Sequence, residues 1–224
     1  MTSSRQRILE MVAKGEVSAE EAEQLLAAVG GKQPSRWRVL VDPFERLGMA
    51  FGLGMAALSA IASLALITLN VRYDGALDLH VTAGAVSLAQ GLVDQLVAWF
   101  GTSLVLWIAA LVVGRRGRVI DFVVVVGVAR LPMVLGGVAS GLLLADFSQL
   151  TTKLKTQPLP PELLLTLVVV LPCLAWFVTL LYYGFKTASG LKGARLVAGF
   201  VGAIVIAELA SKVLLSLLRS VVSS

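Results

Sequence analysis

A chain of 224 residues that is 57% hydrophobic and 15% charged, with a net charge of +5 and a mean hydropathy of +0.87, lies outside the soluble range of about half apolar and a quarter charged. That composition excludes a water-soluble fold for most of the length. The single cysteine, Cys173, excludes an intramolecular disulfide and a Cys-rich metal site.

The N-terminus is polar, with no apolar stretch before Leu47, so no cleavable signal peptide is expected, Met1 is expected to remain, and the first span must itself direct insertion. Within Arg5 to Lys14, the residues Ile8, Leu9, Met11 and Val12 recur at a spacing that predicts an apolar stripe on a short helix, which Gly15 ends. Ser18, followed three residues later by Glu21, is a capping-box pattern. It starts a second helix over Ala19 to Val29, with Ala22, Leu25, Leu26 and Val29 as its apolar face and Gly30-Gly31 as its exit. Isolated helices of this length are marginal, so the pair needs itself or a partner. The string RILEMVAKGEVSAEEAEQLLAAV resembles the SHOCT-like helical hairpin of bacterial membrane-associated proteins. That resemblance implies protein interaction or self-association through residues 5–29, with Leu9, Val12, Leu25 and Leu26 as the contact residues.

Residues 32–46 read as a linker and interfacial segment. Pro34 and Pro43 discourage a helix, and Arg36, Trp37, Arg38 and Arg46 suit a headgroup region facing membrane lipids.

Five apolar segments follow, approximately Leu47 to Asn70, Leu92 to Gly114, Val119 to Ala145, Leu163 to Gly184 and Leu196 to Leu218, each near the about 20 residues that cross a hydrocarbon core. The predicted fold class is all-α: a polytopic membrane helix bundle of about five transmembrane helices over 47–224, behind a soluble hairpin over 1–31. Basic residues in the headpiece, the Arg115-Arg116-Gly117-Arg118 turn and the Lys186, Lys192, Arg195 loop predict a cytoplasmic N-terminus and an outside C-terminus, in the plasma (inner) membrane. Asp74 to Gln90, less apolar than a span, is expected as a short helix or loop on the outer surface, with His80 an ordinary surface residue.

Glycine and alanine recur at four-residue spacing, at Gly48, Gly52, Ala56 and Ala60 and again at Gly137, Gly141 and Ala145, which predicts close helix packing. Arg130 and Glu208 both fall near mid-depth, at about twelve and thirteen residues from basic flanks. A charge there costs about 2.5 to 3.5 kcal/mol, so the two are expected to pair, with Lys212 competing for the same carboxylate. Asp94 and Asp121 read as helix-end residues favoured by the dipole. Pro132 and Pro172 each remove a donor inside a span and are expected to kink it.

The stretch DFVVVVGVARLPMVLGG, with Gly127, Ala129 and Pro132, and the upstream RVLVDPFERLG resemble the Yip family of Ypt/Rab-interacting membrane proteins in its bacterial branch. The resemblance covers about Trp37 to Leu218 and implies a five-span layout with a cytoplasmic N-terminus. Val128 replaces the usual aromatic, and the eukaryotic Asp-Leu-Tyr-Gly-Pro element is missing, so a Rab-binding role does not carry over.

No HExxH, GxSxG, Walker or paired-carboxylate motif occurs, so neither catalysis nor a cofactor nor a metal is expected. Two functions stay open. One is a noncatalytic scaffold or regulator with a cytoplasmic protein partner, or a homo-oligomer formed through the headpiece, and no nucleic-acid partner. The other is a channel, transporter or lipid scramblase using Arg130 and Glu208.

Overall fold

The computed structural model describes residues 4–29, 40–114, 117–145 and 160–222. Most of the linker, including Arg36, Trp37 and Arg38, lies outside the described residues. Two compact units are present, Met1–Leu40 and Val41–Ser224.

The first unit is a helical hairpin of α1 (Ser4–Ala13) and α2 (Ala19–Val29). Gly15, at φ +71°, takes the left-handed turn that lets the Glu16 N–H reach back to the Met11 carbonyl, closing α1. The Glu21 carboxylate accepts from the Ser18 backbone N–H at 3.0 Å and from its hydroxyl at 2.8 Å, while the Glu21 N–H donates to Ser18 Oγ at 3.3 Å. The expected capping box is therefore formed. Ile8 and Ala22 are buried, whereas Leu9 and Leu25 are 54% and 41% exposed, so each apolar stripe turns one leucine outward.

The second unit contains five helices long and apolar enough to cross a membrane among the described residues: span 1 (Met49–Leu69), span 2 (Leu88–Val112), span 3 (Val119–Leu143), span 4 (Pro161–Ser189) and span 5 (Gly193–Arg219). Span 3 is 67% buried against 17–39% for the others, which makes it the axis of the bundle. Its Phe122 and, from spans 4 and 5, Phe177, Leu181, Phe185 and Phe200 close the apolar core.

Small residues set the approach of spans 1 and 3, which run side by side in the same direction. A Cβ on Gly127 would stand 2.4 Å from the Ala56 Cβ, one on Gly137 2.5 Å from Leu66, one on Gly141 2.6 Å from Leu69, and one on Gly52 2.7 Å from Val124. Each contact exists because a side chain is missing. Gly48 does not belong to this stripe: nothing lies within 4 Å of its Cβ position, since it sits in extended backbone capping span 1 before the helix has reached its neighbour.

Three features differ from the sequence expectation. The segment after span 1 is a β-hairpin, with β1 (Val71–Tyr73) antiparallel to β2 (Leu79–Val81), and not a surface helix or loop. Span 2 begins at Leu88 rather than Leu92, because Ser87 and Gln90 form a second capping box. It also carries a π-turn at Val97–Gly101. Span 3 breaks at Arg130 and restarts at Leu131, with Pro132 in the first turn, where its missing N–H costs nothing. Span 4 is one continuous helix with Pro172 inside it.

Candidate functional site: a polar clamp on an inserted hairpin

The β-hairpin enters the bundle instead of lying on its end. Val71 packs at the level of Gly141, near the end of span 3, and two residues later Tyr73 meets Arg130, from the middle of that span, with the guanidinium carbon 4.2 Å from the ring centroid. Val71, Tyr73 and Ala76 are all at most 3% exposed. Non-helical backbone survives at such depth only where protein satisfies its polar groups.

Span 5 does this with one face. Glu208, Ser211, Lys212, Leu215 and Arg219 follow i, i+3, i+4, i+7, i+11 spacing and so line up along the helix. Ser211 Oγ accepts from the Ala76 N–H at 2.9 Å, and Glu208 accepts from the Leu77 N–H at 2.9 Å. Lys212 Nζ bridges Asp78 at 3.1 Å and Glu208 at 3.2 Å. Arg219 binds Asp74, donates to the Tyr73 carbonyl at 3.1 Å, and reaches Asp94 at 2.9 Å. Gly75 leaves room for the Glu208 carboxylate, since a Cβ would stand 2.7 Å from one of its oxygens and displace it from Leu77 and Lys212. The Tyr73 hydroxyl shares a hydrogen bond of 3.0 Å with Ser63 of span 1.

Arg130 and Glu208 are not in direct contact, which corrects the expected ion pair. The inserted hairpin lies between them. Arg130, 1% exposed, donates through Nη2 to the Ala98 carbonyl in the π-turn and, at a long 3.5 Å, to the Ala76 carbonyl. The same Ala76–Leu77 peptide unit presents its N–H to Glu208. One peptide group therefore bridges the two charges. Arg130 Nε and Nη1 have no hydrogen-bond partner among the described residues, and the same holds for Ser59 Oγ and the Gln95 amide.

Lys212 does pair with Glu208 as expected, but it also takes Asp78. Asp94 corrects its assignment as a helix-end residue: span 2 starts earlier, so Asp94 lies inside it, 1% exposed, held by Arg219 with Arg72 at 3.9 Å. Asp121 is an end residue, tied to Arg118 at 2.8 Å in the first turn of span 3. The guanidinium of Arg118 is held above its ordinary pKa chiefly by the Asp121 hydrogen bond. Sequence reasoning missed Arg72, Tyr73, Asp74, Ser211 and Arg219, whose partners lie up to 146 residues away. No group of three or more potential metal ligands gathers among the described residues.

A family model described as a SHOCT-like domain matches residues 3–33, the helical hairpin. No curated protein and no solved structure shows significant similarity to the chain. A family model described as the Yip1 domain matches residues 33–214, which takes in spans 1 to 4 and most of span 5, and the chain accordingly belongs to the Yip1 domain family.

Proposed function

We propose that this multi-pass membrane protein is a noncatalytic scaffold or regulator. Its helical headpiece recruits a cytoplasmic protein or a second copy of the chain through Leu9, Val12, Leu25 and Leu26, and its bundle influences local membrane organisation. The observation carrying this reading is how the charges near the inserted hairpin are used: Glu208, Lys212 and Arg219 are each engaged in holding it. The exposed Leu9 and Leu25 supply the surface a partner would cover. Basic residues flank the hairpin-free end, which in this reading faces the cytoplasm of a bacterial inner membrane.

A transporter or scramblase reading has one observation in its favour, the three N–H groups of Arg130 Nε and Nη1 left without acceptors. Vesicle reconstitution tests the two readings together with pull-down. The scaffold reading expects wild-type vesicles to pass ions and lipids no faster than empty ones, and full-length protein to capture a partner that Leu9→Glu, Leu25→Glu protein loses. Flux that falls in Arg130→Gln protein would replace it with the transport reading.

A further inference from the structure

At the end of the bundle opposite the hairpin, a crevice of about 240 Å³ opens between spans 1, 3 and 4. Phe44 and Leu47, from the segment entering span 1, form one wall. Val124 and Val125 of span 3 form the second, and Gly184 and Thr187 of span 4 the third. Gly184 keeps the walls close: a Cβ there would lie 2.4 Å from Val125 and 3.0 Å from the Phe44 ring. All three spans contribute residues from their first or last turns, so the crevice lies at the depth where acyl chains meet headgroups.

Its rim is charged. Asp121 lines the crevice and is bound by Nε and Nη2 of Arg118, whose side chain is 73% exposed and whose Nη1 takes no part in that pair. Arg46 is exposed and adjoins Leu47 in sequence. We propose that this crevice binds one phospholipid of the surrounding bilayer, with a segment of one acyl chain against Leu47, Val124 and Thr187 and an anionic phosphate at Arg118. The volume falls below the roughly 300 to 1,000 Å³ of drug-sized sites and matches a chain segment whose remainder stays in the bilayer. Charge complementarity decides the headgroup: a guanidinium whose fork is half occupied by Asp121 still offers N–H donors to phosphate.

The test uses the full chain in mild detergent, with phosphatidylglycerol or phosphatidylcholine of identical chains added and retention read by native mass spectrometry. Wild-type protein should retain phosphatidylglycerol in preference. Thr187→Trp, which fills the crevice, should lose the retained lipid, and Arg118→Gln should keep lipid but lose the headgroup preference. Undiminished retention by Thr187→Trp, or an unchanged preference in Arg118→Gln, overturns the proposal. Should the tryptophan variant fail to fold, Thr187→Cys in a Cys173→Ala background replaces it. Phosphatidylglycerol should then slow alkylation at position 187. Alkylation indifferent to lipid, or crosslinking to a second copy, overturns the assignment.

Discussion

Arg130 occupies a position that a hydrocarbon interior penalises heavily, and what it touches is the face of Tyr73 and the carbonyls of Ala98 and Ala76. The π-turn of span 2 and the break of span 3 both occur at this level, and π-turns tend to mark places where a helix gives up regularity for a contact. Because the Ala76–Leu77 peptide unit separates the guanidinium from the Glu208 carboxylate, their coupling has to pass through that unit's polarisation and position. A double-mutant cycle on Arg130→Leu and Glu208→Leu measures it. A directly paired buried couple would lose about 3 to 5 kcal/mol on removal of one partner and recover much of it in the double mutant. The bridged arrangement instead expects each substitution to destabilise separately, with Glu208→Leu costing about 1.5 to 3 kcal/mol for its charged hydrogen bond to Leu77 and an interaction energy below about 1 kcal/mol. Recovery of most of the loss in the double variant would show direct pairing.

At the scale of elements, the two capping boxes show what a local signal can and cannot convey. Ser18 and Glu21 announce α2, whereas the equally spaced Ser87 and Gln90 sit among small residues with no apolar run before them and leave the first turn of span 2 unread. That one turn turns Asp94 from a helix end into a buried ion-pair centre. The spans were legible because an apolar run of about 20 residues matches the thickness of a hydrocarbon core, whereas runs of 10 to 14 suffice for a buried helix in water. The hairpin was not, since its strands are three residues each, although Val71, Tyr73, Leu79 and Val81 alternate as a strand should and Asp74-Gly75 marks the turn. Arg219 could not be placed at all, because its partners are set by bundle topology and not by neighbours in sequence. The headpiece box also makes a pH prediction. The Ser18 hydroxyl, and then its backbone N–H, hold the Glu21 carboxyl below the ordinary value, and the unfolded chain regains that value of about 4.3. The box therefore contributes fully above the ordinary glutamate range, and its contribution fades as pH falls through the lower native pKa. An NMR titration of the Glu21 carboxyl carbon should give a midpoint below the ordinary one, and Ser18→Ala should return it to normal. A midpoint at or above the ordinary value in the wild type would exclude the box in solution.

At the scale of the whole molecule, the two ends of the bundle differ in how their cations are spent. At the hairpin end, Arg72, Lys212 and Arg219 lie within ion-pair distance of Asp74, Asp78, Asp94 or Glu208. The opposite end carries Arg46, Arg118, Lys186, Lys192 and Arg195, with Arg118 tied to Asp121. Orientation follows Lys and Arg in short flanking loops and depends little on carboxylates. The count of Lys and Arg therefore predicts that the Arg118 end stays in the cytoplasm and the inserted hairpin opens outward. The five spans then carry the C-terminus out, since span 5 runs from Gly193 toward the hairpin, where Arg219 meets Asp74. Single cysteines placed in a Cys173→Ala background decide the matter in intact cells. A membrane-impermeant maleimide should label Ser223→Cys and His80→Cys, the latter at an exposed strand position, and should miss Gly117→Cys until the membrane is opened. Labelling of Gly117→Cys alone would invert the protein. Labelling of His80→Cys without Ser223→Cys would mean that span 5 does not cross, and the clamp of Glu208, Lys212 and Arg219 on the hairpin would then have to form from a helix lying along the membrane surface.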